Sequence, residues 1–294
     1  MEIKESQYNF SEMHQRMQFY VDAGILPCCA TAVFKGTDLV DHQTFGFMDL
    51  ETREPLRDDA IYRMASNTKL VTSVALMMLQ EEGLFDLDDP LAKFIPEFGE
   101  LQVLQPDATT AADVHPAKNL ISIRHLLSHS AGLSYGFVEP DSVIDQCYLN
   151  GGVNGLGEKD IDLEELCAGI AKLPLAFEPG TSWRYSFATD VCARLVEVLS
   201  GQSFDAFLRQ RIFDPLGMMD TDFWVPQEKA HRLITMYSPE DLFDPMKPGL
   251  NKADDVITGP YRARPKMLSG GGGLVSTVAD YSAFLRMIVN EGEW

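Results

Sequence analysis

Met64-Ala65-Ser66-Asn67-Thr68-Lys69-Leu70-Val71-Thr72-Ser73-Val74-Ala75-Leu76-Met77-Met78-Leu79 joins a serine and a lysine three residues apart to an apolar run of helical length, closed by Gly83. The spacing predicts a helix from Ser66 to Glu82. Its apolar residues (Leu70, Val71, Val74, Ala75, Leu76, Met77, Met78, Leu79) lie almost all round the helical projection, so the helix is expected to be buried inside the protein. Residues three apart share a helix face, which puts the Ser66 hydroxyl within reach of the Lys69 amine. A serine hydroxyl becomes a nucleophile only when a neighbouring base takes its proton, and a lysine among apolar walls can serve. The helix start favours negative charge developing near Ser66. The plainer alternative, a capping serine followed by a solvated lysine, predicts an amphipathic helix instead.

Working outward, Ser11 to Ala23 reads as a helix. Cys29 to Phe34 and Leu39 to Phe47 read as two strands of a hairpin around Lys35-Gly36-Thr37-Asp38. From Asp86 to about Pro248 the pattern is mainly helical, with segments at Pro90 to Phe94, Ile123 to Ser128, Leu163 to Ala171, Ala188 to Ser200 and Phe204 to Phe213. Strand character returns near Gly270 to Val275. Thr277-Val278-Ala279-Asp280 then fits a capping box that opens a helix from Val278 to Asn290. The chain is expected to be one domain, 1–294. Residues 1–65 and 266–294 form its sheet side and 66–265 a mainly helical region, and a sheet this poor in strands, ending at Trp294, reads as incomplete.

Composition narrows the function. Lys and Arg number 24 against 44 Asp and Glu, a formal charge of -20 that repels phosphate backbones and anionic membranes. Nucleic acid and membrane are therefore excluded as expected partners. Leu70 to Leu79 is far shorter than the roughly 20 residues of a membrane span. Met1 to Met13 lacks the apolar run of a signal peptide. Five irregularly spaced cysteines (Cys28, Cys29, Cys147, Cys167, Cys192) read as reduced, mostly buried thiols of a cytoplasmic protein. The scattered histidines show no metal-ligand spacing, and neither a metal nor another cofactor is expected.

Downstream of the Ser-Lys pair, Glu178-Pro179-Gly180-Thr181-Ser182-Trp183-Arg184 leads into Tyr185-Ser186-Phe187. A tyrosine near a lysine ammonium can hold a phenolate and act as general base, although an aromatic anchor for the loop is the plainer reading. Together with Ile123-Arg124-His125-Leu126-Leu127-Ser128-His129-Ser130-Ala131-Gly132-Leu133 and Gly270-Gly271-Gly272-Gly273-Leu274, these segments resemble the serine beta-lactamase-related proteins in order and spacing. That group includes class C beta-lactamases, family VIII carboxylesterases and D-alanyl carboxypeptidase-like hydrolases. The resemblance implies an α/β (α+β) fold of the beta-lactamase/transpeptidase kind, an antiparallel sheet flanked by helices plus a helical subdomain. It also implies that Ser66 is the acylated nucleophile, Lys69 its proton partner and Tyr185 the general base, with Tyr135 and Phe187 lining the substrate pocket.

Two departures from that family are visible. Phe187 stands where its lactamases carry an amide-binding asparagine, which tilts the expected substrate from beta-lactams and D-amino-acid peptides towards short-chain esters. Family members also run on through further strands carrying a K/H-T-G or W-x-G segment, so the chain is expected to be a fragment. Inactive-fragment and silent-binding readings stand beside the hydrolase for that reason. A rival nucleophile is Ser134, in Gly132-Leu133-Ser134-Tyr135-Gly136, a G-x-S-x-G pattern that lacks the buried strand such an elbow must follow. The glycine run is expected to serve close backbone packing.

Overall fold

The computed structural model describes residues 2–4, 7–153, 161–254 and 261–293; Met1 and Trp294 of the sequence reading lie outside them. In chain order the elements are α1 (Ser11–Asp22), β1 (Cys28–Lys35), β2 (Asp38–Asp49), β3 (Glu54–Pro55), β4 (Tyr62–Arg63), α2 (Thr68–Glu81), β5 (Gln102–Leu104), β6 (Val114–Pro116), α3 (Ile123–Leu127), α4 (Val143–Asn150), α5 (Leu163–Ile170), α6 (Ala188–Ser200), α7 (Phe204–Leu208), α8 (Asp214–Leu216), β7 (Met236–Pro239), β8 (Leu250–Asp254), β9 (Val275–Ser276) and α9 (Val278–Val289).

The chain forms two interleaved compact units, one of residues 1–63, 212–264 and 275–294, the other of 64–211 and 265–274. In the first unit β1 and β2 form the expected antiparallel hairpin, with a bulge between Val33 and Phe34, and β3 extends it. The pairs β4–β9 and β7–β8 are separate two-stranded ladders. Ile61, Val225, Leu233 and Val275 pack as one apolar cluster and Met48, Leu56 and Ala60 as another. Residues 212–264, expected in the helical region, belong to this unit. β7 and β8 escaped the sequence reading because Pro239, Lys252 and Asp254 break any apolar alternation. Thr277 caps α9 through the Asp280 N–H, but the expected reciprocal bond is replaced. The Asp280 carboxylate instead accepts from the Asp220 N–H and the Thr221 hydroxyl, at 2.7 and 2.9 Å.

The second unit is helical around α6, against which α2, α3, α5 and α7 pack. From Ala188 to Ala193 every α6 residue is buried, as are Leu195 and Val196, and the left-handed Gly201 ends the helix. Capping boxes open α3, where Ser122 and His125 exchange bonds, and α5, where Asp162 and Glu165 do so. The stretch expected as one helix to Phe213 leaves α geometry after α7, passing into a π turn over Arg209–Phe213. The Pro90 segment is only a 3-10 turn, Leu91–Lys93.

Two expectations about α2 are corrected. Ser66 sits in a 3-10 turn, Ala65–Asn67, just ahead of the helix. The helix is also not enclosed on every side, since Leu70 is 43% exposed. Its buried stripe is Thr68, Val71, Thr72, Ala75, Leu76 and Leu79, the spacing of a single helix face. Two threonines share that stripe, which a count of apolar residues misses. Thr68 accepts from the Leu274 N–H at 3.2 Å and Thr72 donates to the Gly270 carbonyl at 2.8 Å, so the helix is tied to the glycine segment by hydrogen bonds.

Candidate active site

The second unit contains Ser66, Lys69, Tyr185, Tyr135 and Phe187 together. Turn geometry presents Ser66: Ala65 before it takes a left-handed φ of 44°, and the Asn67 N–H closes the turn onto the Met64 carbonyl at 3.0 Å. The Ser66 and Tyr185 oxygens lie 2.6 Å apart. Lys69 Nζ is 3.4 Å from Ser66 Oγ and donates to the Gly271 carbonyl at 2.6 Å. The ammonium also stands over the Tyr185 ring, 4.6 Å from its centroid. An exposed hydroxyl, a phenol and an amine thus converge on one point.

Tyr135 and Phe187 behave differently from the expectation. The Phe187 side chain is 0% exposed, its ring 4.4 Å from that of Tyr135 and stacked at 6.3 Å on Tyr148. A ring so enclosed presents no surface to a substrate, and its contribution is to support Tyr135 from below. Tyr135 is itself buried, its ring 5.3 Å from Tyr185 and stacked 4.9 Å from the exposed Phe137. Burial, and then the neighbouring Asp190 charge, push its phenol far above the ordinary tyrosine value, so it stays neutral.

Two groups were not singled out as site residues. His129 lies against Tyr185 at 5.0 Å and edge-on to the exposed Trp183 at 6.2 Å, with Nδ1 3.3 Å from Ser186 Oγ. Burial and the Lys69 charge lower its pKa from 6.5 to about 4, so the ring is neutral at pH 7. Asp190, in the first turn of α6, is 1% exposed and accepts from the Ser269 hydroxyl at 2.6 Å and the Gly271 N–H at 3.0 Å. The one signal for it in the sequence is a lone carboxylate inside the otherwise uncharged run Ala188 to Ala193.

The glycine run packs as expected. A Cβ on Gly271 would lie 2.5 Å from Asp190 Oδ2 and 2.7 Å from the Tyr135 hydroxyl, and one on Gly270 would lie 2.6 Å from Ala193 Cβ. Only Val275 and Ser276 at its end form a strand. Among the described residues no cluster of histidine, cysteine or carboxylate side chains has metal-binding geometry, and His125 serves as a helix cap.

Ser134 is placed where no substrate reaches it. It is 0% exposed, its hydroxyl bonded to Asp145 and accepting from Arg184 Nε at 2.7 Å. It follows a loop and not a buried strand, in keeping with the sequence pattern, which lacks the strand a nucleophile elbow requires.

A serine, a lysine and a tyrosine in this arrangement bring a hydroxyl, an amine and a phenol within reach of one another. The beta-lactamase family profile matches residues 13–293, and the chain belongs to that family. Protein Rv1367c of Mycobacterium tuberculosis (strain ATCC 25618 / H37Rv) is 34% identical over 271 residues, covering 92% of this chain and 64% of its own length. Esterase EstB of Burkholderia gladioli is 30% identical over 268 residues, covering 80% of this chain and 64% of its own. The chain thus spans just under two-thirds of the length of these relatives. Among solved structures, EstCE1, described as a hydrolase with promiscuous acyltransferase activity, superposes with a TM-score of 0.80 over 97% of this chain and 73% of that one, at 22% identity. The fold is of the beta-lactamase/transpeptidase kind.

Proposed function

We propose that this chain is a serine hydrolase that forms an acyl-enzyme at Ser66 and acts on small-molecule esters with short acyl chains. The observation that carries the proposal is the 2.6 Å approach of the exposed Ser66 hydroxyl to the Tyr185 oxygen beneath the Lys69 ammonium. Tyr185, as phenolate, takes the Ser66 proton while Oγ attacks the ester carbonyl, with Lys69 neutralising the phenolate. Collapse of the tetrahedral intermediate expels the alcohol, which receives the proton back from Tyr185. Water then attacks the acyl-enzyme by the same proton path. The unprotonated His129 ring leaves no second positive charge beside the phenol at neutral pH.

Preference for esters over beta-lactams rests on Phe187, which offers no amide to a substrate N–H, and on the likeness to esterase EstB. The net charge of -20 argues against polyanionic partners. All five cysteines are unpaired, Cys167 and Cys192 buried and the others half-buried, which supports a reducing, cytoplasmic setting. Among the described residues no helix is long and apolar enough to cross a membrane.

The test is a comparison of kcat/KM for p-nitrophenyl acetate and nitrocefin on one preparation, with a fluorophosphonate to locate the nucleophile by mass spectrometry. The expected result is an adduct on the Ser66 peptide and higher turnover of the ester. Nitrocefin turnover at or above the ester's would overturn the substrate assignment, and an adduct elsewhere would overturn the mechanism.

A further inference from the structure

The buried carboxylate of Asp190 touches neither Ser66 nor Tyr185, yet everything it holds leads back to Lys69. Its Oδ1 accepts from the Ser269 hydroxyl and the Gly271 N–H, at 2.6 and 3.0 Å. The Gly271 carbonyl in turn receives the Lys69 ammonium at 2.6 Å. Its Oδ2 faces the Tyr135 hydroxyl at 3.5 Å, and the Tyr135 ring lies 5.5 Å beneath Lys69 Nζ. A Cβ at Gly271 would strike both Oδ2 and the Tyr135 hydroxyl, so the peptide is seated directly on the carboxylate.

We propose that Asp190 is ionised in the working protein and is a positioning residue: it seats the Ser269–Gly271 segment so that the Gly271 carbonyl orients Lys69, and its negative charge balances the Lys69 ammonium. This rests on the acyl-enzyme reading above. Burial alone would discharge the carboxyl, and does push it above the ordinary carboxylate value; the Ser269 and Gly271 donors and the Lys69 charge oppose that. The other titratable groups on these two residues are Tyr135 from the loop before α4, Tyr185 from the loop before α6, His129 from the loop after α3, Cys167 of α5 and Cys192 of α6 itself. Lys69 supplies positive charge against Asp190.

The experiment measures the rate of Ser66 labelling by a fluorophosphonate against pH in the unmodified chain, in Asp190→Asn and in Ser269→Ala. Asn keeps an acceptor oxygen but removes the charge. Without that charge a phenolate forms more easily and an ammonium loses its proton more easily, so both limbs of the profile should move to lower pH by about 1 unit. Ser269→Ala removes one hydrogen bond and keeps the charge, so its limbs should stay in place. Should the Asn variant fail to fold, the carboxyl 13C resonance of Asp190 in the unmodified chain reports its ionisation directly and should show no carboxyl-protonation inflection within the pH range of labelling. Unmoved limbs in Asp190→Asn, or an inflection inside that range, would overturn the inference alone. Absence of Ser66 labelling in the unmodified chain would instead overturn the hydrolase reading.

Discussion

Ser66 and Ser134 both sit in short patterns associated with nucleophilic serines, and both lie in the same compact unit, yet their surroundings differ. Ser66 is exposed on a strained turn, its oxygen beside a phenol and within 3.4 Å of an amine. Ser134 is enclosed, and its proton is committed to Asp145 while Arg184 occupies an oxygen lone pair. Burial pushes the Asp145 carboxyl up, but bonds from Ser134, the Glu139 N–H and Arg184 outweigh it and hold it below the usual range. Asp145 is therefore ionised at neutral pH and a poor proton acceptor. The difference teaches that a serine's chemistry is set by whether its partners can exchange a proton and whether a carbonyl can approach, conditions that a five-residue pattern leaves open. The Ser134 region fastens one loop to the next, since Arg184 also bonds Glu139 at 2.8 Å and precedes Tyr185.

The sharpest way to break the comparison is to exchange the roles by deletion. Ser66→Ala should abolish both fluorophosphonate labelling and ester turnover, whereas Ser134→Ala should keep the label on Ser66. A label that moves or disappears with Ser134 would undo the contrast. Tyr185→Phe removes only the phenolic oxygen, so ester kcat should fall by about 10²–10⁴-fold with an unchanged unfolding curve. Near-normal turnover in that variant would remove Tyr185 from the mechanism.

The opposite signature is expected in the Ser134 region. Arg184→Ala leaves the buried Asp145 without its cation and should lower stability by about 3–5 kcal/mol, read from urea unfolding. A loss within experimental scatter would mean that the network is not a structural clamp. The smallest effect concerns His129. Its pKa is 6.5 when unconstrained and about 4 in the fold, so the unfolded chain takes up the proton first. Its contribution to stability is complete above about pH 6.5 and is lost as the pH falls towards 4. His129→Asn, which suits the left-handed φ of 54°, should flatten that part of the stability profile. An unchanged slope would show that the imidazole is not held neutral.

Much of this was legible in the residues themselves. The hairpin, α1, α6 and α9 are local: their period, caps and turn residues lie within a dozen positions, and the structure differs from their expected limits by a residue or two. The pairing of Ser66 with Lys69 is also local, being one turn of chain. The meeting of Ser66 with Tyr185 spans 119 positions and came from resemblance, not from spacing. Asp190, Gly271 and Lys69 could not have been joined from the sequence, because each bond among them connects a different pair of distant segments.

Phe187 marks the boundary most clearly. Its identity was plain, and the inference that it offers no hydrogen bond follows from its side chain alone. Its direction was decided by packing: an apolar ring at the start of α6 gains free energy by turning under Tyr135 and against Tyr148, away from water. What the sequence determined by itself was which chemical groups exist and which short-range elements carry them, because helix period, caps and turns depend on neighbours in the chain. Which serine is open, which carboxylate is buried beside the lysine, and which aromatic ring faces inward were decided only in the tertiary structure, since burial and proton exchange depend on neighbours in space.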